Sequence, residues 1–251
     1  MPSESGGIGA CRALYIDLLK RALLNRIYSD REAGFDENKR ATGMDWPNFA
    51  HTMIGQARLD NLQSCVETVL HEGIPGDLIE TGIWRGGSCI FMRGMLKAYG
   101  ETGRKVWVAD SFEGLPPPNV EKYPRDEGVD FHKYPALAVG LEEVKANFER
   151  YGLLDDQVVF LKGWFKDTLP KAPIERLAVL RLDGDMYEST MDALFNLYPK
   201  LSPGGFAIID DYALYSCANA VHDYRRWNNI ADEIKTIDWC GAFWRKPIGA
   251  P

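Results

Sequence analysis

The sequence contains no apolar run near the roughly 20 residues that crossing a bilayer takes, no cluster of lysine and arginine, and no close pairing among its five cysteines. The first absence argues against a membrane span. The second, with a net charge of −7, argues against nucleic acid or an anionic membrane as partner, because both demand a basic footprint. Cys11, Cys65, Cys89, Cys217 and Cys240 are scattered without a C-x-x-C, so neither a zinc site nor a disulfide framework is indicated. That usage suits a reducing cytoplasm. The opening stretch lacks the order of a signal peptide, and there is no internal repeat or low-complexity tract.

What is present is a core. With 251 residues, 45% of them hydrophobic and 26% charged, the chain suits one large domain or a domain with an appendage. Residues 1–75 read as a helical extension. After a disordered tip, Leu14, Leu18, Ala22 and Ile27, flanked by Tyr15, Leu19 and Leu23, recur at helical spacing from Cys11 to Tyr28. The polar stretch "SDREAGFDENKRATGMDWP" loses that period and predicts a mobile connection. A second helix is expected from Ala50 to Glu72, stopped by Gly73 and "IPGD".

Residues 76–251 change character. "DLIET", "KVWVAD", "QVVFLKG", "LAVLRLD" and "GFAIIDD" are short β-rich runs separated by helical stretches such as Ser88–Tyr99 and Leu141–Tyr151. Strands alternating with helices predict an α/β fold, a mostly parallel sheet with helices on both faces. "DEIKTID" and "GAFWRK" add a closing hairpin, which makes seven strands. The irregular segment 116–138, with three consecutive prolines, predicts a lid-like insertion.

Open α/β sheets bind ligands beyond the carboxyl ends of their strands. After the first run come Glu80, Thr81 and Gly82, then Gly86 and Gly87 at the mouth of a helix, where free N–H groups and absent side chains admit a ligand. The spacing is not G-x-G-x-x-G, which weakens a dinucleotide reading. Asp110, at the end of the second run, suits ribose hydroxyls, so a nucleoside-bearing ligand fits both loops. "LRLDGDMYEST" and "GGFAIIDDYAL" each carry a strand into paired acids, Asp183 with Asp185 and Asp210 with Asp211. Unpaired, such a group would repel itself and take up protons. A hard cation resolves that, and Mg²⁺ prefers oxygen ligands. The alternative is that Asp185 and Asp211 cap helices while Asp183 forms a salt bridge.

Together "HTMIG", "DLIETGIWRGGSCIF", "VWVADSFEGLP", "YGLLDDQVVFLKGWFKDTLP", "LAVLRLDGDMYEST" and "LSPGGFAIIDDY" resemble the macrocin and mycinamicin sugar O-methyltransferases, a family that includes the novobiocin noviose O-methyltransferase. The likeness runs from about Leu14 to Arg245. It implies a Rossmann-like class I methyltransferase domain, S-adenosylmethionine as methyl donor, Mg²⁺ as cofactor, and a deoxysugar hydroxyl of a glycosylated natural product as acceptor. It leans towards a homo-oligomer, a dimer or larger, with the first helix and the "WCGAFWRK" tail as candidate contacts. On this likeness Glu80, Thr81, Gly82, Arg85, Gly86 and Ser88 surround the methionine part, Asp110 and Ser111 the ribose side, and Gly163, Trp164 and Phe165 the adenine. Met53 and Ile54 lie near donor and acceptor.

A sugar hydroxyl is too weak an acid to attack unaided at neutral pH. Mg²⁺ on Asp183, Asp210 and Asp211 would lower its pKa and orient it, with Asp185 as general base. Asp183 and Asp185 can exchange these roles, because neighbouring acids titrate together; the resemblance favours Asp183 on the metal. His51 and His132 are candidate substrate contacts, although a lone histidine is more often a surface or core residue. His71 and His222 receive no role. A small-phenol or catechol methyltransferase would share the metal and donor logic. A dinucleotide-dependent oxidoreductase, or a silent binding module, has no use for acids at the fourth and fifth strands.

Overall fold

The computed structural model describes residues 4–249, and the stretch from Glu4 to Ala10, expected to belong to a disordered tip before a helix starting near Cys11, is already helical. Seven strands form one sheet: β1 (Asp77–Thr81), β2 (Val106–Asp110), β3 (Val158–Lys162), β4 (Leu177–Leu182), β5 (Leu201–Ile209), β6 (Lys235–Thr236) and β7 (Ala242–Arg245). Their order is β3-β2-β1-β4-β5-β7-β6. The first five run parallel, while β7 pairs antiparallel with β5 and β6 with β7. The expected sheet and its closing hairpin are both present.

The helices are α1 (Glu4–Leu23), α2 (Glu37–Thr42), α3 (Gly55–His71), α4 (Gly87–Ala98), α5 (Leu141–Arg150), α6 (Phe165–Thr168), α7 (Tyr187–Leu197) and α8 (Tyr215–Trp227). Side chains alternate along the strands and so feed two cores. Leu78, Val106, Val108 and Val179 pack with α1, α3, α4 and α5, whereas Ile79, Trp107, Leu180 and Ile209 pack with α7 and α8. Every residue of β4 is buried, which explains a run that is apolar at every position but the ion-paired Arg181. Each fully buried leucine in these layers contributes about 1.5–3 kcal/mol.

Two expectations for the N-terminal region are corrected. The first helix stops at Leu23, because Asn25 takes a left-handed backbone at φ +52° and ends it. Its inner face is Ile16, Leu19 and Leu23, continued by Leu24 just past its end; Leu14 and Leu18 point outward, 70% and 56% exposed. The close approach of α1 to α4 passes over Gly94, where a Cβ would sit 2.4 Å from a Leu19 methyl. The connection read as mobile holds α2, whose N-terminus is capped by Asp36 through the N–H groups of Asn38 and Lys39. Buried Arg40 then ties it down through Glu32 at 2.9 Å and Asp45 at 2.7 Å. A helix of 6 residues is too short to show a period, and its anchor is an ion pair, so no apolar pattern announces it.

Segment 116–138 contains three short 3₁₀ turns, Pro124–Asp126, Phe131–Lys133 and Pro135–Leu137. All five cysteines are free thiols, four of them buried. Among the described residues no helix is long and apolar enough to cross a membrane.

Candidate active site

Strand order reverses between β1 and β4, and the loops beyond their carboxyl ends part there to form a cavity of about 620 Å³. Register sets which loops meet: Thr81 lies beside Ala109 and Leu182, and Leu182 beside Ile209. The turns after β1, β2, β4 and β5 therefore open on one place. Gly82, at φ +83°, makes the contact between the loops after β1 and β4, since a Cβ there would sit 1.6 Å from the Asp183 carbonyl oxygen. Only glycine fits.

Of the residues expected at the site, Met53, Gly82, Asp110, Ser111, Trp164, Phe165, Asp183, Asp185, Asp210 and Asp211 line this cavity. Glu80, Thr81, Arg85, Gly86, Ser88 and Gly163 are not on its wall. Glu80 is buried and accepts hydrogen bonds from Arg181 and, at 3.1 Å, from the Cys89 thiol. It is the direct cross-strand neighbour of Arg181, a pairing that depends on register. Thr81 is buried with its hydroxyl unpartnered, and Ser88 is buried. Arg85 donates to the carbonyls of Asn48 at 3.0 Å and Ala50 at 2.9 Å, bracing the segment before α3. Gly163 closes the β3 turn by donating its N–H to the Asp110 carbonyl at 2.8 Å.

Asp110 accepts the Ile83 N–H at 2.8 Å on one oxygen and the Phe112 N–H at 2.6 Å on the other. Burial raises its pKa above the ordinary aspartate value, and those N–H groups oppose the rise. A carboxylate offers about four lone-pair sites, so acceptor capacity remains on the cavity side.

Asp183, Asp210 and Asp211 present oxygens that all lie within 4.8 Å of one another. Two buried guanidiniums stand behind them. Arg181 pairs with Glu80, Asp210 and, at 2.7 Å, Asp183; Arg58, from α3, pairs with Asp210 and, at 3.0 Å, Asp238. Both Asp210 oxygens are thus engaged. Asp211 accepts the Asp185 N–H at 3.0 Å. Asp185 itself has a left-handed backbone, φ +58°, and its carbonyl accepts from the Ser216 hydroxyl at 2.8 Å. Burial drives the Asp183 and Asp211 carboxyls well above the usual range, and the neighbouring acids push further. Asp185 is pushed up to about 7, first by burial and then by Asp210. The salt-bridge half of the alternative reading therefore holds for Asp183. It coexists with an acid cluster that guanidiniums neutralise only in part.

Neither His51 nor His132 lines the cavity. His51 sits 2.7 Å from the Tyr151 hydroxyl, and burial, helped by Arg150 and Arg85, lowers its pKa to about 4. Sequence reasoning missed Arg58 and Arg181, although a charge inside the apolar run "LAVLRL" was a usable signal. It also missed the mouth, where Met44, Trp46, Trp84, Phe131 and Trp239 meet from four separate segments. Trp46 packs on Tyr134 at 5.3 Å between ring centres, and the Trp239 indole N–H donates to the Thr42 carbonyl at 2.8 Å.

A Rossmann-like seven-stranded sheet with added N-terminal helices, with Asp110 at the end of β2 and a cavity at its switch point, is the architecture of a class I methyltransferase; this chain is an S-adenosylmethionine-dependent O-methyltransferase. The profile of the Macrocin-O-methyltransferase (TylF) family matches residues 30–246, and the chain belongs to that family. It is 60% identical over 242 residues to the 8-demethyl-8-(2,3-dimethoxy-alpha-L-rhamnosyl)-tetracenomycin-C 4'-O-methyltransferase of Streptomyces olivaceus, covering 93% of each chain. It is 56% identical over 244 residues to the Mycinamicin III 3''-O-methyltransferase of Micromonospora griseorubida, covering 93% of this chain and 96% of that one. The solved structure of the O-methyltransferase NovP superposes with a TM-score of 0.91 at 52% identity, covering 94% of this chain and 99% of that one.

Proposed function

We propose that this enzyme methylates a deoxysugar hydroxyl of a glycosylated natural product, using Mg²⁺ held by Asp183, Asp210 and Asp211. The observation that carries this is the convergence of those three carboxylates on the floor of the cavity that Gly82, Asp110 and Ser111 also line. The donor set fits a hard cation: all ligands are oxygen, and the burial and mutual repulsion that raise the pKa values of Asp183 and Asp211 are costs of ionisation that a bound cation would offset. When bound there, Mg²⁺ supplies a Lewis acid that lowers the pKa of a coordinated hydroxyl. S-adenosylmethionine supplies an already electrophilic methyl group.

The chain's own residues do the rest. Asp110 keeps lone pairs for the ribose hydroxyls, Ser111 borders them, and Trp164 and Phe165 offer flat faces for the adenine. Asp185 accepts the proton from the sugar oxygen, its raised pKa matching the working pH of a general base. The aromatic mouth suits the apolar aglycone of a glycoside, with the sugar reaching the acid floor. A sugar acceptor is further supported by the relatives: one names a rhamnosyl group, yet the methylated positions, 4' and 3'', differ between the two. A free phenol or catechol would leave that mouth unused. In this reading residues 1–75 form an added helical layer on a methyltransferase domain of 76–251, and the arms of segment 116–138 act as its lid. Outward Leu14 and Leu18 on α1 support association with a second copy, and five free thiols suit a cytoplasmic enzyme.

Metal removal tests the proposal. Turnover of deoxysugar glycosides is expected to stop in EDTA and return with Mg²⁺, while calorimetric binding of S-adenosylhomocysteine persists in both. Full turnover in EDTA would rule out the metal role. A second expectation concerns the donor alone: Asp110→Asn should weaken S-adenosylhomocysteine by roughly 1.5–3 kcal/mol through lost charge-assisted hydrogen bonds, about ten- to hundredfold, with the acceptor KM unchanged. Unaltered donor affinity would remove Asp110 from the ribose.

A further inference from the structure

The N-terminus of α7 has no cap of its own, since the side chain of Met186 offers none. The exposed-chain ends of a helix leave N–H groups that need partners. Here the partner comes from the insertion, 61 and 62 residues away in sequence from the two N–H groups it meets. Asp126 is fully buried, and its two oxygens accept the N–H groups of Tyr187 at 2.6 Å and Glu188 at 3.1 Å. The same turn is clamped from outside. Arg125 pairs with Asp223 at 2.7 Å and donates to Asn219 at 2.7 Å, and the Tyr187 hydroxyl donates to Asp223 at 3.0 Å. One junction thus joins segment 116–138, the start of α7, and α8.

Asp185 lies just ahead of that junction, with only Met186 between it and Tyr187. Its left-handed φ is uncommon for an aspartate and persists only where the surroundings impose it. Upstream and lateral restraints are the Asp211 carboxylate on its N–H and Ser216 on its carbonyl. Downstream, the restraint is the first turn of α7, and the side chain that holds that turn is Asp126. Asp126 is not on the cavity wall, so it acts on catalysis through Asp185 and not by touching a ligand.

We propose that Asp126 is a positioning residue: by capping α7 from the insertion, it holds the strained turn that aims the Asp185 carboxylate at the acceptor hydroxyl. This rests on the reading of Asp185 as general base. In Asp126→Ala, kcat is expected to fall by about 10- to 100-fold, the scale of a misplaced catalytic group, while S-adenosylhomocysteine affinity and acceptor KM stay within about twofold. Asp126→Asn retains one acceptor and should lose less, a partial rescue that a general packing defect would not produce.

A double-mutant cycle with Asp185→Asn decides the matter. If Asp126 works through Asp185, adding Asp126→Ala to Asp185→Asn costs nothing further in kcat. A full additional loss in the double variant overturns the proposal while leaving Asp185 as base. Near-normal turnover of Asp185→Asn alone overturns the reading beneath it. Unchanged kcat in a folded Asp126→Ala, or a loss confined to KM or donor affinity, also overturns the proposal. Should Asp126→Ala not fold, the cycle is run with Asp126→Asn and the same outcomes apply.

Discussion

Asp185→Asn is expected to lower kcat by about 10²- to 10⁴-fold, the contribution of a positioned general base, with donor affinity unchanged. The substitution is chosen for what it keeps. Asparagine tolerates the left-handed backbone that Asp185 adopts, and its N–H can still donate to Asp211 and its carbonyl still accept from Ser216. Shape and backbone survive; proton acceptance does not. Single-turnover rates at saturating donor and acceptor are the measurement. A variant with near wild-type kcat would transfer the base to Asp183, the other carboxylate at the end of β4.

Asp210→Ala should act on stability first, lowering it by about 3 kcal/mol, the lower end of the cost of breaking a buried ion pair. The lower end applies because each guanidinium keeps another acid: Arg181 keeps Glu80 and Asp183, and Arg58 keeps Asp238. Asp211→Ala should behave differently. It removes one member of a buried, mutually repelling group and strands no cation, losing only the acceptor of the Asp185 N–H, so its melting temperature in EDTA should fall less than that of Asp210→Ala. Added Mg²⁺ should then raise the melting temperature of the wild type and not that of Asp211→Ala, because a ligand bound only by the native state stabilises it. Thermal scans with and without Mg²⁺ separate the two roles. Equal destabilisation by both substitutions would mean that Asp211, like Asp210, serves chiefly as a counter-ion.

The contrast between those two adjacent aspartates could not be read along the chain. "GFAIIDDY" announces a buried strand ending in two acids, and short, mostly apolar runs bounded by turns mark the other four parallel strands, because burial in a covered parallel sheet writes itself locally as near-continuous apolar residues. The end of each strand, and so Asp110, Asp183, Asp185, Asp210 and Asp211, was legible for that reason. Glu80 was legible as a strand residue but not as the partner of Arg181, since that pairing exists only in the register of β1 against β4.

The N-terminal region shows the same division. Helical period marked α1 and α3, but the period in α1 picked out Leu14 and Leu18, which face outward, because which apolar stripe is covered depends on where α4 lies. The anchoring of α2 by Arg40 and the capping of α7 by Asp126 left no local signal at all. The sequence by itself determined the alternation of strands and helices, the acids at the strand ends and, through its motifs, the family. The tertiary structure alone decided which acid faces a guanidinium, which faces the cavity, and which holds a helix start from a distant loop. Hydrophobic periodicity is a property of neighbours along the chain, whereas ion pairs and caps join groups that only folding brings within hydrogen-bond reach.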